Sequence, residues 1–213
     1  MSAQRHDDFT PACAACPRLA DFLATARQTY PGYFCQPVPP FGDDRPELLI
    51  VGLAPGLHGA NRTGRPFTGD YAGTLLYETL HEFGYADRPV SVAADDGLTL
   101  TGCRITNAVK CVPPANKPET DEIVRCNGYL KAELAALPRD TRLLALGQIA
   151  HRAILQALGL KQRAHPFGHG ARHRLPDGRH LYDSYHCSRY NTQTRRLTPE
   201  MFKAVFAAIR KGD

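Results

Sequence analysis

Two pairs of cysteines in this 213-residue chain have the spacing of metal ligands. Cys13 and Cys16 are two residues apart in the pattern Cys-x2-Cys, which lets two thiolates face one centre. Cys111 and Cys126, with fourteen residues between them, form a wider second pair. Seven cysteines in a chain that we expect to be cytoplasmic argue for metal binding or catalysis rather than disulfides. From spacing alone, a structural zinc ion and an iron–sulfur cluster are equally compatible with the four thiols.

A glycine-rich segment with many polar side chains follows an apolar run. The run "ELLIV" (47–51) leads into "GLAPGLHGANRTGRPFTGD" (52–70), which contains five glycines and two prolines. Glycine-rich turns between a strand and a helix commonly expose backbone N–H groups to a phosphate or nucleotide. Here no Gly-Lys-Ser/Thr follows, and Pro55 interrupts the dinucleotide-binding pattern. A tight turn alone would not need the polar residues that follow Pro55, so we expect a ligand-binding loop.

The surrounding elements alternate between strands and helices. Apolar runs followed by turn residues predict strands at 47–51, 104–109, 141–146 and 180–185. Helical patterns predict a short helix after Cys16 and longer ones at 72–84, 120–137, 147–159 and 198–211, the last with Thr198 as N-cap. This alternation predicts an α/β fold, three-layer α/β/α with a central, mostly parallel four-stranded sheet. Ligands bind at the carboxyl ends of such strands, so the loops after 51, 109, 146 and 185 are the places to search.

Composition narrows the class of protein. A hydrophobic content of 43% suits a sizeable core, and the length suits a single domain over 1–213 with an irregular extension at 1–45. No apolar run is long enough to cross a membrane and no signal peptide begins the chain, so we expect a cytoplasmic protein. The net charge is +5, and the stretch 161–196 has eight Lys or Arg against two Asp. That excess suits a phosphate-rich partner, although an ordinary solvated face is equally compatible with it.

Three stretches, in this order, resemble the motifs of the uracil-DNA glycosylase superfamily, and in particular its family 5 (B-type) iron–sulfur enzymes. They are "GLAPGLHGANRTGRPFTGD" (52–70), "TNAVKC" (106–111) and "YHCSRYNTQTRRLT" (185–198). The resemblance implies a DNA-repair enzyme that hydrolyses the N-glycosidic bond of uracil and leaves an abasic site. It also implies that Cys13, Cys16, Cys111 and Cys126 hold a structural [4Fe–4S] cluster near the amino-terminal extension.

The same resemblance implies roles for individual residues around an extruded base. Base-binding roles fall on Gly52, Leu53, Ala54, Phe67, Asn107 and His186. Phe67 would stack on uracil, the Asn107 amide would read O4 and N3–H, and neutral His186 would donate to O2 as negative charge develops there. Many relatives orient water with an Asp or Asn where this chain has apolar residues, which leaves Asn61 as first and Asp70 as second catalytic candidate. DNA-binding roles fall on Ser188, Arg189, Tyr190, Asn191, Thr194, Arg195 and Arg196.

Further expectations concern the remaining cysteines, the products and the partners. We expect Cys35 and Cys103 to be small buried residues, and Cys187, where most relatives have proline, to be a tolerated departure. No lysine in the motifs could form a Schiff base, so we expect a monofunctional enzyme without lyase activity. The expected partner of this monomer is DNA containing uracil or other deaminated bases such as hypoxanthine, and no membrane. Two alternatives are a non-catalytic nucleic-acid-binding module with a four-cysteine zinc site and a small-molecule nucleotide hydrolase.

Overall fold

A computed structural model describes residues 9–212, so residues 1–8 and 213 of the predicted single domain lie outside the described residues. Helices and strands alternate along most of the chain. The strands are β1 (Phe41–Gly42), β2 (Leu48–Gly52), β3 (Cys103–Asn107), β4 (Arg142–Leu146), β5 (Arg172–Arg174) and β6 (His180–Ser184). The helices are α1 (Pro17–Thr29), α2 (Ala60–Thr63), α3 (Tyr71–Glu82), α4 (Thr120–Ala136), α5 (Gln148–Ala157), α6 (Arg189–Gln193) and α7 (Pro199–Lys211), with short 3₁₀ turns at Pro114–Asn116 and Gln162–Ala164. Among the described residues, no helix combines the length and the apolar composition that a bilayer span requires.

The strands form one mixed sheet in the order β1-β3-β2-β4-β6-β5. The inner four strands are parallel, whereas β1 and β5 pair antiparallel at the two edges. The α/β fold and the four predicted strands are confirmed, but the expected four-stranded sheet is wrong because it has six strands. The edge strands escaped prediction because β1 has two residues and the exposed arginines of β5 give it no apolar run.

Two hydrophobic layers cover the sheet because successive side chains of each inner strand point to opposite faces. Leu48 and Ile50 of β2 pack with α3 and α7, whereas Leu49 and Val51 pack with α4 and α5. All four side chains are fully buried, and each contributes about 1.5–3 kcal/mol by leaving water. The continuous apolar run of β2 therefore reflects burial on both faces, as expected for an inner parallel strand.

The amino-terminal extension is attached to one end of this sandwich through α1. Leu19 and Leu23 of α1 pack in a small third cluster with Val109, Val112 and the cysteines 111 and 126. Arg18 adds a two-point ion pair, donating from Nε and Nη2 to the buried carboxylate of Glu122 at 2.8 and 2.7 Å. The predicted short helix is confirmed, and the rest of the segment 9–40 is irregular.

Candidate active site

The loop after β2 brings three segments of the chain to one point. Gly52 pairs with Asn107 of β3 in the parallel register, and the Ala108 N–H continues the ladder by donating to the Gly52 carbonyl at 2.9 Å. A Cβ at Gly52 would collide with the Asn107 amide oxygen and would lie 2.6 Å from the Phe67 ring. Gly52 is therefore required by the close approach of two side chains over its backbone.

A cavity of about 440 Å³ lies at the carboxyl ends of β2, β3 and β6, and we call it the strand-end cavity. Its size falls within the range of small-molecule sites. The residues that line it include Leu53, Ala54, Phe67, Asp70, Tyr71, Asn107, His186, Ser188 and Arg189. The structure thus brings together three predicted base-binding side chains that are 40 and 79 positions apart in sequence.

Phe67 forms an apolar wall of this cavity in a strained backbone conformation. Its φ is +54°, in the left-handed region that non-glycine residues rarely adopt. Its ring is nearly parallel to the His186 ring, with an interplanar angle of 28° and centroids 5.9 Å apart. The flanking Arg65 is anchored by Asp96 at 2.7 Å and the flanking Thr68 by the Ser91 hydroxyl at 2.7 Å. These buried anchors hold the ring in place without any help from a ligand.

Asn107 contributes an unpaired hydrogen-bond acceptor. The residue is 3% exposed, and its Oδ1 is buried without a hydrogen-bond partner. A buried polar atom left unpaired costs about 1–3 kcal/mol, so most proteins satisfy such atoms internally. An amide held in this way suits a ligand that presents an N–H donor.

His186 follows β6 and faces Phe67 across the cavity. The Asn191 side-chain amide donates to its backbone carbonyl at 2.8 Å, which fixes the chain at this point. Burial lowers the pKa of His186 to about 4. The imidazole is therefore neutral at pH 7 and can donate one N–H without carrying a charge.

The two candidates for orienting water differ in position. Asp70 lines the strand-end cavity, caps α3 by accepting from the Gly73 N–H at 2.9 Å, and has its pKa raised by burial. Asn61 is fully buried in α2, and its amide nitrogen faces the Cys35 sulfur at 3.5 Å and the Leu57 carbonyl at 3.4 Å. The structure therefore does not bring Asn61, the first candidate from the sequence, to the cavity.

The predicted DNA-binding loop contains the short helix α6. Ser188 is its N-cap, and Tyr190, within the helix, is 70% exposed. Arg189 lies over the Tyr71 ring at 5.2 Å and Arg196 over the Tyr185 ring at 4.6 Å. The Arg189 guanidinium therefore lies at the strand-end cavity, whereas Arg196 lines a neighbouring cavity described below. Arg195 is exposed with a φ of +56°.

Two residues of this segment already have internal partners. Asn191 holds the His186 carbonyl, and the Thr194 hydroxyl donates to the Tyr190 carbonyl at 2.7 Å. The sequence predicts a DNA-binding role for both. In the structure their donors stabilise the segment that carries His186 and the exposed arginines.

A second cavity, of about 550 Å³, shares Leu53 and His186 with the strand-end cavity and extends to the carboxyl end of β4. It is lined by Gly147 and Gln148 at the start of α5 and by Tyr185 and Arg196. The sequence points to the loop after residue 146 but singles out no residue there. A glycine between the predicted strand and helix, Gly147, is the sequence feature that could have indicated this part of the site. Its φ of +96° allows a sharp turn from β4 into α5, whose first N–H groups have no partner within the helix.

The four cysteines with metal-ligand spacing line one small cavity, which we call the cysteine cavity. Cys13 and Cys16 come from the segment before α1, Cys111 follows β3, and Cys126 lies on α4. All four are free thiols, and the Lys110 N–H donates to the Cys126 sulfur at 3.3 Å. Four sulfur donors around one space, with an N–H directed at one of them, fit the ligand set of an iron–sulfur cluster.

The other three cysteines lie elsewhere. Cys35, Cys103 and Cys187 are each fully buried. Burial raises the pKa of the Cys103 and Cys187 thiols well above the usual range, so neither is poised as a nucleophile.

Known proteins share the sequence that builds this site. The family model of the uracil DNA glycosylase superfamily matches residues 39–210. This chain belongs to the uracil DNA glycosylase superfamily. The match spans β2, β3 and β6, the strands that bring Phe67, Asn107 and His186 together.

Several curated members of the superfamily resemble the chain over nearly its whole length. The Type-5 uracil-DNA glycosylase of Thermus thermophilus is 48% identical over 205 residues, which cover 94% of this chain and 93% of that protein. The Type-5 uracil-DNA glycosylase of Pyrobaculum aerophilum is 42% identical over 207 residues, covering 94% and 90%. That of Mycobacterium leprae is 42% identical over 207 residues, covering 93% and 90%. The resemblance to family 5 is therefore confirmed.

Proposed function

We propose that this chain is a monofunctional uracil-DNA glycosylase, which hydrolyses the N-glycosidic bond of uracil in DNA and leaves an abasic site. The observation that carries the proposal is the convergence of Phe67, the unpaired Asn107 amide oxygen and neutral His186 in one cavity at the strand ends. A base must leave the duplex to reach such a cavity.

Uracil and the Asn107 amide have complementary edges. In the proposed complex, Oδ1 accepts the uracil N3–H and Nδ2 donates to O4. Cytosine presents an acceptor at N3 and a donor at the exocyclic amine, so the same amide orientation would face two mismatches. Phe67 stacks on the ring and holds its plane.

His186 supplies the main stabilisation of the leaving group. As the glycosidic bond breaks, negative charge develops on uracil O2, and a donor already fixed in place stabilises it without reorganisation. A neutral imidazole meets this need at pH 7. Asp70 holds the attacking water, because its carboxylate lines the cavity whereas Asn61 does not.

Other deaminated bases fit the same chemistry. Hypoxanthine also presents an N–H next to a carbonyl, and the apolar side chains of Leu53 and Ala54 at the cavity impose no polar requirement of their own. We extend the proposed substrates to hypoxanthine in DNA on this ground.

DNA is held along the two cavities. Arg189 and Arg196, placed over tyrosine rings, and exposed Arg195 supply charge to the phosphates, and the start of α5 adds backbone N–H groups. Exposed Tyr190 fills the space that the extruded base leaves in the duplex.

The four thiols of Cys13, Cys16, Cys111 and Cys126 hold a [4Fe–4S] cluster in this proposal. When bound, the cluster supplies a structural crosslink between the extension, β3 and α4. Hydrolysis needs no electron transfer, so the residues of the strand-end cavity carry the chemistry.

The test is a base-release assay on the purified full-length protein. A duplex with one uracil should give free uracil and an alkali-labile strand, whereas a matched duplex with cytosine or thymine should give neither. An intact uracil strand under these conditions would refute the proposal. A strand cut without alkali would refute its monofunctional character. Strand cutting by a lyase needs a free amine, and the amine of buried Lys110 is paired with Thr106 and Glu133. The alternative, a non-catalytic zinc module, predicts no base release. It also gives no reason for the unpaired amide oxygen of Asn107 in the cavity.

A further inference from the structure

Three potential metal ligands meet at a distance from both the strand-end cavity and the cysteine cavity. His151 on α5, His173 on β5 and Asp183 on β6 bring their ligand atoms within 4.8 Å of one another. The side chains of His151 and Asp183 are 2% and 0% exposed, and that of His173 is 12% exposed. We propose that this His–Asp–His cluster binds a divalent transition-metal ion, with Zn²⁺ as the best chemical match.

The donor set supports zinc. Two imidazoles and one carboxylate are common zinc ligands, with bonds of about 2.0–2.1 Å. Ligand atoms around such a tetrahedral ion lie about 3.4 Å apart, and His173 Nε2 lies 3.4 Å from Asp183 Oδ2. His151 Nδ1 and Asp183 Oδ1 are 2.7 Å apart, a hydrogen-bond distance. That pair must open by about 0.7 Å to admit the ion.

Outer partners already orient the ligands. His151 Nε2 lies 2.8 Å from the His165 carbonyl, which can only accept, so Nε2 carries a hydrogen. The 2.7 Å contact between Nδ1 and the Asp183 carboxylate requires a hydrogen on Nδ1 as well, and a metal ion bound at Nδ1 would displace it to solvent as a proton. Metal-binding histidines commonly donate their second N–H to a carbonyl in this manner. The Gly168 N–H donates to the other oxygen of Asp183 at 3.4 Å.

His173 provides an independent indication. Its Nε2 is buried and makes no hydrogen bond, and it faces Asp183 Oδ2 at 3.4 Å. A buried nitrogen without a hydrogen bond costs free energy that metal ligation would recover. The half-exposed His165 ring lies edge-on to His173, with ring centroids 5.5 Å apart. Either His165 itself or a water molecule beside it can provide the fourth ligand.

The ion would have a structural role. It would join α5, β5 and β6, and Asp183 also accepts from the Gly170 N–H at 2.9 Å through its backbone carbonyl. Residues 165–170 would thereby be fastened to the strand that ends before His186. This role does not depend on the proposed base chemistry, so the two proposals can fail separately.

The experiment uses full-length protein purified with whatever the four cysteines bind, the proposed iron–sulfur cluster, still in place. After mild chelation, the protein is mixed with one equivalent of Zn²⁺ alone, desalted and analysed for zinc by mass spectrometry and zinc-edge X-ray absorption. We expect one zinc per chain with a nitrogen and oxygen shell at about 2.0–2.1 Å and no sulfur shell at about 2.3 Å. Failure to retain zinc would overturn the proposal. A sulfur shell would also overturn it, because zinc would then occupy the cysteine site.

A matched pair of variants locates the ion. His173→Asn should weaken zinc affinity by more than 100-fold, because even removal of an outer partner costs about 10–100-fold. His180→Asn is the control, since His180 lies on β6 beside Arg172 and outside the cluster. Wild-type affinity in His173→Asn would overturn the proposal. If that variant does not fold, the absorption spectrum of the wild-type protein still decides.

Discussion

The strand-end cavity and the cysteine cavity are both assembled from segments far apart in sequence, but they depend on the fold in opposite ways. The side chains of the strand-end cavity are held by internal partners, including the anchors beside Phe67 and the amide that fixes His186. The cysteine cavity is lined by four free thiols from the irregular extension, the segment after β3 and α4. On this basis we expect that the first site can lose its chemistry and stay folded, whereas the proposed cluster at the second would help to keep the extension folded.

The largest expected effect comes from the cysteine cavity. If the four thiols hold the proposed cluster, Cys111→Ser should lose its iron and its melting temperature should fall sharply. Structural metal sites can contribute about 10 kcal/mol or more, which is comparable to the whole stability of a domain. Iron content per chain and thermal denaturation measure both effects. Cys103→Ala is the control and should keep its iron, and a Cys111→Ser protein that loses iron but melts like the wild type would remove the contrast between the two sites.

The next effect concerns His186. His186→Ala should slow single-turnover uracil excision by about 10²–10³-fold, the usual cost of one fixed donor to a developing oxyanion. Its iron content should not change, because His186 does not line the cysteine cavity. Asn61→Ala should be slowed less, since Asn61 does not line the strand-end cavity. The reverse order of the two rates would contradict the roles proposed for these residues.

Asn107 should have a smaller effect on rate. Asn107→Ala removes two proposed hydrogen bonds to the base, which corresponds to about 10- to 100-fold in kcat/KM. Asn107→Asp keeps an acceptor for N3–H but places a negative charge near O4, so it should not restore activity. Kinetics on matched uracil duplexes compare the three proteins. Full activity in Asn107→Asp would show that the amide donor is not needed.

The exposed arginines should change affinity alone. Arg195→Ala and Arg196→Ala should weaken binding to all duplexes alike. Each should also reduce the slope of log affinity against log salt by about 0.9 for every phosphate that the protein no longer neutralises. Binding titrations with uracil-containing and undamaged duplexes at several salt concentrations provide the comparison. Weaker binding confined to uracil-containing DNA would mean that these residues touch the lesion.

The smallest expected effect is on the way the stability of the folded protein depends on pH. Burial lowers the pKa of His186 to about 4, so between pH 4 and about 6.5 the unfolded chain binds a proton that the folded chain does not. Stability therefore falls as the pH decreases through this window. His186→Gln lacks this contribution, so its melting temperature should fall less between about pH 6.5 and about pH 4.5 than that of the wild type. Equal decreases would show that the imidazole is not held neutral by burial.

The parts of the fold that depend on local pattern were predictable from the sequence. The four inner strands are short segments rich in apolar residues and followed by turns, a pattern that does not depend on the order of the strands in the sheet. The edge strands β1 and β5 are too short or too polar to show it, and the sheet order depends on packing between distant segments.

The site was predictable where its motifs lie at the carboxyl ends of inner strands. Phe67, Asn107 and His186 meet as expected because parallel strands end at the same edge of a sheet. The positions of Asn61 and Asp70 depend on how one loop turns, which residue spacing alone does not determine. The His–Asp–His cluster requires strand β5, which the sequence does not reveal, to be placed beside β6.

The most direct test of the proposed base-binding cavity is a crystal structure of the protein with a duplex that contains a non-hydrolysable 2′-fluoro deoxyuridine analogue. We expect an extruded uracil stacked on Phe67, with N3 within hydrogen-bond distance of Asn107 Oδ1 and O2 within reach of the His186 imidazole. A uracil bound elsewhere, or seated in the cavity with O2 directed away from His186, would contradict the proposed chemistry.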